Sequence, residues 1–312
     1  MLFKELVAKK CVYRGQKPVY WSPKSHTALA EAELESERSG GMTRRYNPNH
    51  RSESVFLTFD LKQSSNPAVQ RLLSQSPLQA LVYTTTPWTV PSNVCLCVNP
   101  DAEYCVVATP ENRRAVALAS RVEHFLIMRD RVDAVASLVH ASFTVLLDHV
   151  PGVSLQGSTY AHPLFSTCDT NLSLTHRTRV VIAGHHVTND MGTGIVHTAP
   201  AHGLDDFLVC KYHRVIRTEE SMADNGIPRV VLPEGVQCEA LREDVDDDGR
   251  FTSVWGARLQ GAEVLGEGNR EVVGEGKDDD ASDEVARGDA PPVPPPDHHP
   301  SLPVRSTARA HH

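Results

Sequence analysis

The chain has 312 residues, 40% of them hydrophobic and 22% charged, enough for one large globular unit or two small ones. No apolar run approaches the length that a bilayer-crossing helix needs, so the sequence implies no membrane partner. The formal charge of −8 is uneven: residues 1–238 hold 23 basic and 22 acidic side chains and residues 239–312 hold 8 and 17, so the acidity of the C-terminal quarter leaves a nucleic-acid partner open for the remainder.

Phe3 to Lys10 reads as the end of a short amphipathic helix, with no cleavable signal. Strands are expected at Cys11–Tyr13 and Val19–Trp21, closed by Ser22-Pro23. Residues 28–37 are rich in helix formers, 38–52 read as a basic loop, and Val55–Phe59 as a strand. Pro67 opens a short helix to Ser74. Further strands are expected at 78–84, 93–98, 103–108, 115–119, 143–149, 178–183 and 192–198. Asn99-Pro100-Asp101 forms a turn, and helices are expected over 121–140 and 204–213, the first broken near Arg129-Asp130. Many strands with a few helices among them predict an α+β, barrel-like fold.

Seven cysteines are scattered at 11, 95, 97, 105, 168, 210 and 238 with no CxxC pair, which argues against a zinc site or a disulfide framework; reduced, mostly buried thiols are expected. Asp244 to Trp255, DVDDDGRFTSVW, opens like a calcium loop but carries Trp255 where a bidentate glutamate belongs, so it reads as a polar turn. Gly192-Thr193-Gly194 lacks the third glycine of a dinucleotide fingerprint. No metal site is expected. From about Gly274 an acidic run and the stretch APPVPPPDHHPSLP predict disorder.

Two stretches carry chemistry. In Gly192 to Phe207, GTGIVHTAPAHGLDDF, two glycines allow close backbone approach, and Ile195-Val196 delivers His197 to a strand end. Pro200 stops the strand, and Gly203 opens a helix with Asp205 and Asp206 in its first turn, where carboxylates are favoured. The same residues also describe a capped helix with a satisfied histidine. In Tyr83 to Asn93, YTTTPWTVPSN, hydroxyls stiffened by Pro87 and Pro91 follow an apolar run, which suits a small polar pocket; threonine-rich strand surfaces are also common.

Both stretches resemble the inserted editing domain of the isoleucyl-tRNA synthetases of mitochondrial or bacterial type, and KPVYWSPKSHTALAEAELE at Lys17 to Glu35 resembles the segment where that family's nucleotide-binding fold hands over to it. Valyl and leucyl relatives carry TTRPET or TTRPDT in the first motif and no histidine at the place of His197. The resemblance covers roughly residues 1–273. It implies a remnant of a Rossmann-type catalytic domain at 1–24, an editing domain with its connecting ribbons at 25–273, which would make 28–37 extended, and a disordered tail at 274–312. It implies that Met1 starts inside a larger domain, and that the tail reflects a shifted reading frame or splice rather than a real extension.

The resemblance also implies a function. A pocket for isoleucine rejects valine by only about 150-fold, and this family is itself the standing example, so a second, hydrolytic site is needed. An aminoacyl ester is already activated, and positioned water suffices without a covalent nucleophile. The segment would hydrolyse valyl-tRNA for isoleucine, its tRNA partner, as a monomer in the mitochondrial matrix or, alternatively, in the cytoplasm. An inert fragment that keeps the fold and binds tRNA weakly is the alternative. The implied catalytic set is Asp206, holding the substrate α-ammonium, with Thr85, Thr86 and His197; Thr84, Asn93 and Trp88 would bind substrate, Trp88 being as well suited to core packing. Asp205 reads as a helix cap and His202 as a turn residue. No cofactor is expected in this segment: ATP and Mg belong to the family's synthetic site, whose HIGH and KMSKS signatures are missing from this sequence.

Overall fold

A computed structural model describes residues 2–9, 11–12, 17–30, 54–109, 124–162, 178–218, 225–234, 236, 247–248, 250 and 304–306. The main body is built from β3 (Val55–Gln63), β4 (Gln79–Thr84), β5 (Cys95–Val98), β6 (Glu103–Ala108), β7 (His124–Met128), β8 (Thr144–Pro151), β9 (Thr159–Ala161), β10 (Thr178–Ala183) and β11 (Ile195–Thr198). They form one mixed sheet in the order β11-β5-β10-β9-β3-β4-β7-β6-β8. Among the described residues, only β4–β7 and β5–β10 pair in parallel. With few helices among the described residues, the fold is α+β, as expected.

The central strands are apolar on both faces. Ala80, Val82, Tyr104, Val106, Leu126 and Met128 enter the main core, while the alternating Leu81, Cys105, Val107, Phe125 and Ile127 meet Val132, Val135 and Val139 of a helical segment. Each fully buried aliphatic or aromatic side chain contributes about 1.5–3 kcal/mol. The helices are α1 (Leu2–Ala8), α2 (Pro67–Leu73), α3 (Val132–Leu138) and α4 (Leu204–His213). Asn66 caps α2, its side-chain oxygen accepting from the Ala68 and Val69 amides at 2.9 and 3.1 Å, with Pro67 in the first turn.

The sheet curls so that its edge strand β11 returns against β4. Tight approaches at the GTG turn make that closure. The Met128 amide donates to the Thr193 carbonyl at 3.0 Å. The Tyr104 hydroxyl accepts from the Asn99 amide at 2.9 Å and donates to the Gly194 carbonyl at 2.6 Å. Gly192 and Gly194 both have positive φ, at 71° and 74°. A Cβ at Gly192 would lie 3.2 Å from the Tyr83 ring, and one at Gly194 2.2 Å from Met128 Cβ. The Arg131 guanidinium braces the preceding loop, donating to the carbonyls of Gly192, Asn189 and Asp190 at 2.9, 3.0 and 3.2 Å.

Several expectations need correction. Residues 124–128 form strand β7 rather than the first half of a helix; a four-residue apolar run buried on both faces has no period with which to declare itself. Only the second half of that stretch is helical, as α3. Cys11 and Val12 lie in a bend, not a strand. The strand expected over 192–198 begins at Ile195, because the two left-handed glycines make a turn of 192–194. A second, small sheet joins β1 (Pro18–Ser22) to β2 (Thr27–Leu29) and, on its other side, to β12 (Val304–Ser306). Thr27–Leu29 is thus extended, and residues 304–306 are the described part of the tail. Residues 31–53, 115–119, Cys168, Cys238, most of 244–255 and the rest of 274–312 lie outside the described residues.

Candidate functional site

The threonine-rich segment leaves β4 at Thr84 and turns into a short 3-10 helix, Pro87–Ser92, with Pro87 at its start and Pro91 inside. Two prolines hold φ near −65° and remove two donors, which favours a tight, rigid turn over a longer α-helix. Thr84 is buried, and its hydroxyl accepts from the Thr86 amide at 3.1 Å and meets the Thr86 hydroxyl at 3.3 Å. Thr86 is half-buried and Thr85 exposed. Of the three threonines, Thr85 and Thr86 are the ones a solute can reach.

Behind them runs a chain of directed hydrogen bonds. His197, on β11, is only 6% exposed. Its Nδ1 lies 2.9 Å from the Asn93 amide nitrogen and its Nε2 lies 2.9 Å from the Thr89 hydroxyl. Asn93 also donates to the Cys95 carbonyl at 3.0 Å and accepts from the Tyr160 hydroxyl. Thr89 donates to the Thr86 carbonyl at 2.9 Å. Burial drives the imidazole pKa down to about 3, with the nearby His202 acting in the same sense, so the ring is neutral at working pH. Both of its nitrogens are committed to protein partners.

These placements redistribute the expected roles. Asn93, expected to contact substrate, is 1% exposed and its amide is consumed by three protein groups, so it holds His197 instead. Trp88, expected either to bind substrate or to pack in the core, is buried and meets His202 edge-to-face at 5.0 Å, which is the packing alternative. His197, counted among the catalytic residues, has both ring nitrogens bonded within the protein and no free nitrogen for proton transfer.

The other half of the site is the turn between β11 and α4. Asp206, in the first turn of α4, is half-buried, and its Oδ2 accepts from the Ala199 amide at 2.8 Å. Burial pushes its carboxyl up to about 6; the Ala199 amide opposes this, Asp205 adds to it, and His202 opposes it. Gly203 leaves room for the carboxylate, since a Cβ there would stand 3.3 Å from Asp206 Cγ. Asp205 is exposed. His202, expected only to serve the turn, joins the two halves. Its Nε2 lies 2.9 Å from the Ser92 hydroxyl, its ring packs on Trp88, and it lies close enough to act on both His197 and Asp206.

Tyr160, Thr89 and His202 were thus missed. Thr89 was visible as the fourth threonine of the motif and His202 as the second histidine of its partner. Tyr160 has no local signal: it meets Asn93 across 67 positions of sequence.

A family model described as tRNA synthetases class I (I, L, M and V) matches residues 1–253. The chain belongs to this family. Among curated relatives it is 36% identical over 272 residues to the mitochondrial isoleucine--tRNA ligase of Gallus gallus and 34% identical over 278 to the probable mitochondrial isoleucine--tRNA ligase of Dictyostelium discoideum; each match covers 87% of this chain. The isoleucine--tRNA ligase of Acaryochloris marina is 34% identical over 273 residues. The chain spans 22% of the length of each of these class I synthetases. Among solved structures it is similar to the editing domain of the P. knowlesi cytosolic leucyl-tRNA synthetase, at 15% identity and a TM-score of 0.37, covering 52% of this chain and 62% of that one. That superposition is loose, and the fold stands on the sheet described above.

Proposed function

We propose that residues from about 25 to 273 of this class I synthetase chain form a proofreading unit that hydrolyses valyl-tRNA for isoleucine, using a positioned water and no cofactor. Residues 1–24 then belong to the catalytic domain and the segment after 273 is a tail. The partner is tRNA, the chain acts as a monomer, and the kinship with mitochondrial enzymes favours the mitochondrial matrix, with the cytoplasm as the alternative that the Acaryochloris relative keeps open.

The observation that carries this reading is the tie between two segments more than a hundred residues apart: His197 bonds Thr89 and His202 bonds Ser92, bringing the turn that holds Asp206 to the threonine-rich turn. In the proposed reaction Asp206, ionised above its pKa of about 6, pairs with the α-ammonium of the amino acid. Thr85 and Thr86 hold the ester and the attacking water, with Thr84 fixing Thr86 from behind. Water attacks the ester carbonyl, the ribose hydroxyl leaves, and valine and free tRNA result. His197 closes the side-chain pocket; a methylene is worth about 1–3 kcal/mol there, so a wall that admits valine and refuses isoleucine multiplies the discrimination of the synthetic site.

The test is release of labelled amino acid from tRNA for isoleucine charged with valine or with isoleucine, alongside filter binding of the same tRNAs to the full chain. Valine should be released at least about tenfold faster than isoleucine. Binding with no release above the buffer rate would establish the inert-fragment reading instead.

A further inference from the structure

The hydrogen bonds behind the threonine turn run in one direction. Asn93 Nδ2 can only donate, and it does so to the Cys95 carbonyl and to His197 Nδ1. His197 Nδ1 is therefore the acceptor nitrogen of a neutral ring, and its single proton sits on Nε2. Thr89 Oγ1 receives that proton's hydrogen bond and spends its own on the Thr86 carbonyl. Upstream, the direction depends on which way the Asn93 amide points. Turned over, its oxygen would face the Cys95 carbonyl oxygen, two acceptors about 3 Å apart, and its nitrogen would face Tyr160.

The Cys95 carbonyl, an acceptor only, disfavours that flip, and Tyr160 meets the amide oxygen from the far side. Tyr160 is fully buried, it sits on β9 opposite Leu61 of β3 and Arg179 of β10, and its ring meets Phe59 edge-to-face at 5.4 Å. Burial holds its phenol well above the ordinary range, so the hydroxyl stays protonated and can donate to Asn93 Oδ1.

We propose that Tyr160 is a positioning residue for the site: through Asn93 it sets His197 as the Nε2–H tautomer, which directs the Thr89 hydroxyl to the Thr86 carbonyl and holds both the imidazole wall and the threonine turn in place. A ring bonded at both nitrogens cannot rotate to admit a larger side chain without losing two buried hydrogen bonds. The consequence for selectivity rests on the proofreading function proposed above; the tautomer does not.

The test is proton–nitrogen correlation spectroscopy on the full chain with nitrogen-labelled histidine, paired with hydrolysis of valyl- and isoleucyl-tRNA. The wild type should show His197 as a single Nε2–H tautomer. In Tyr160→Phe, where one of the two groups orienting Asn93 is gone, a second tautomer or exchange broadening should appear, and the ratio of isoleucyl- to valyl-tRNA hydrolysis should rise about tenfold. Thr89→Val should leave the tautomer unchanged, because the direction is set from the Asn93 side. An Nδ1–H ring in the wild type, a tautomer switch in Thr89→Val, or unchanged His197 signals and unchanged selectivity in Tyr160→Phe would each overturn the proposal. If the wild type hydrolyses neither ester, the proposed function fails, and the tautomer result still decides this inference. Should Tyr160→Phe not fold, the wild-type and Thr89→Val spectra decide it.

Discussion

Asp206→Asn is expected to slow valyl-tRNA hydrolysis by about 100-fold or more while leaving the chain at least as stable as the wild type at pH 7.5. The two effects have separate causes. Losing the negative charge would remove the proposed charge-assisted contact to the α-ammonium, and preorganised contacts of that kind are worth about 3–4 kcal/mol in a closed site. Stability moves the other way because burial raises the carboxyl from its ordinary value to about 6. A raised pKa means that the folded state holds the proton more tightly than the unfolded chain does. Its stabilising effect is complete below about pH 4 and lost as pH rises through about 6, so at pH 7.5 the ionised carboxylate weakens the fold by something of the order of 1–3 kcal/mol. Asparagine keeps an oxygen for the Ala199 amide and removes the charge. Urea titrations at pH 5 and 7.5 check this: the wild type should lose more stability than the variant across that interval. A residue present only to cap the turn would keep this pH signature, which burial alone produces, but would show no rate loss.

Gly194→Ala should be the most damaging conservative change in the region, costing about 3 kcal/mol or more of folding free energy by urea or thermal unfolding. Two penalties combine there. The backbone has φ of 74°, a left-handed conformation that costs a residue with a Cβ roughly 1–2 kcal/mol. The new methyl would also lie 2.2 Å from Met128 Cβ and 2.8 Å from its Sδ, a clash with a strand rather than with a yielding side-chain end. Relieving it means moving β7 away from β11, which strains the Met128–Thr193 and Tyr104–Gly194 bonds that close the sheet. Gly203→Ala is the informative contrast: its φ of −135° suits any residue, and its closest contact is the Asp206 carboxylate itself.

Much of this was legible in the residues. The glycines of GTGIVHTAP announced a close approach, and the structure supplies Tyr83 and Met128 as what approaches. Helix α4 occupies 204–213 as its cap and acidic first turn imply, and Pro67 opens α2. What failed did so for local reasons. His124–Met128 was read as helix because the apolar positions 122, 125, 126, 132, 135, 138 and 139 keep a helical spacing, whereas Phe125 to Met128 is a continuous apolar run that fits a doubly buried strand equally well. At the site, residue type identified the participants but not their orientation. Asn93 was taken as a substrate contact because nothing in YTTTPWTVPSN reveals that Tyr160 and the Cys95 carbonyl will occupy its amide. His202 reads as a turn residue until Ser92 and Trp88 arrive beside it. Pairings across such separations belong to the sheet order, and strand propensity does not encode that order.

In the proposed function the threonine turn and the Asp206 carboxylate line one chamber. The most direct test of this arrangement is an amide-by-amide titration of the chain with a non-hydrolysable amide analogue of valyl-adenosine, followed by proton–nitrogen spectroscopy. The signals of Thr85, Thr86 and Asp206 should shift together along a single binding curve. Shifts confined to one of the two segments, or separate curves with different midpoints, would contradict it.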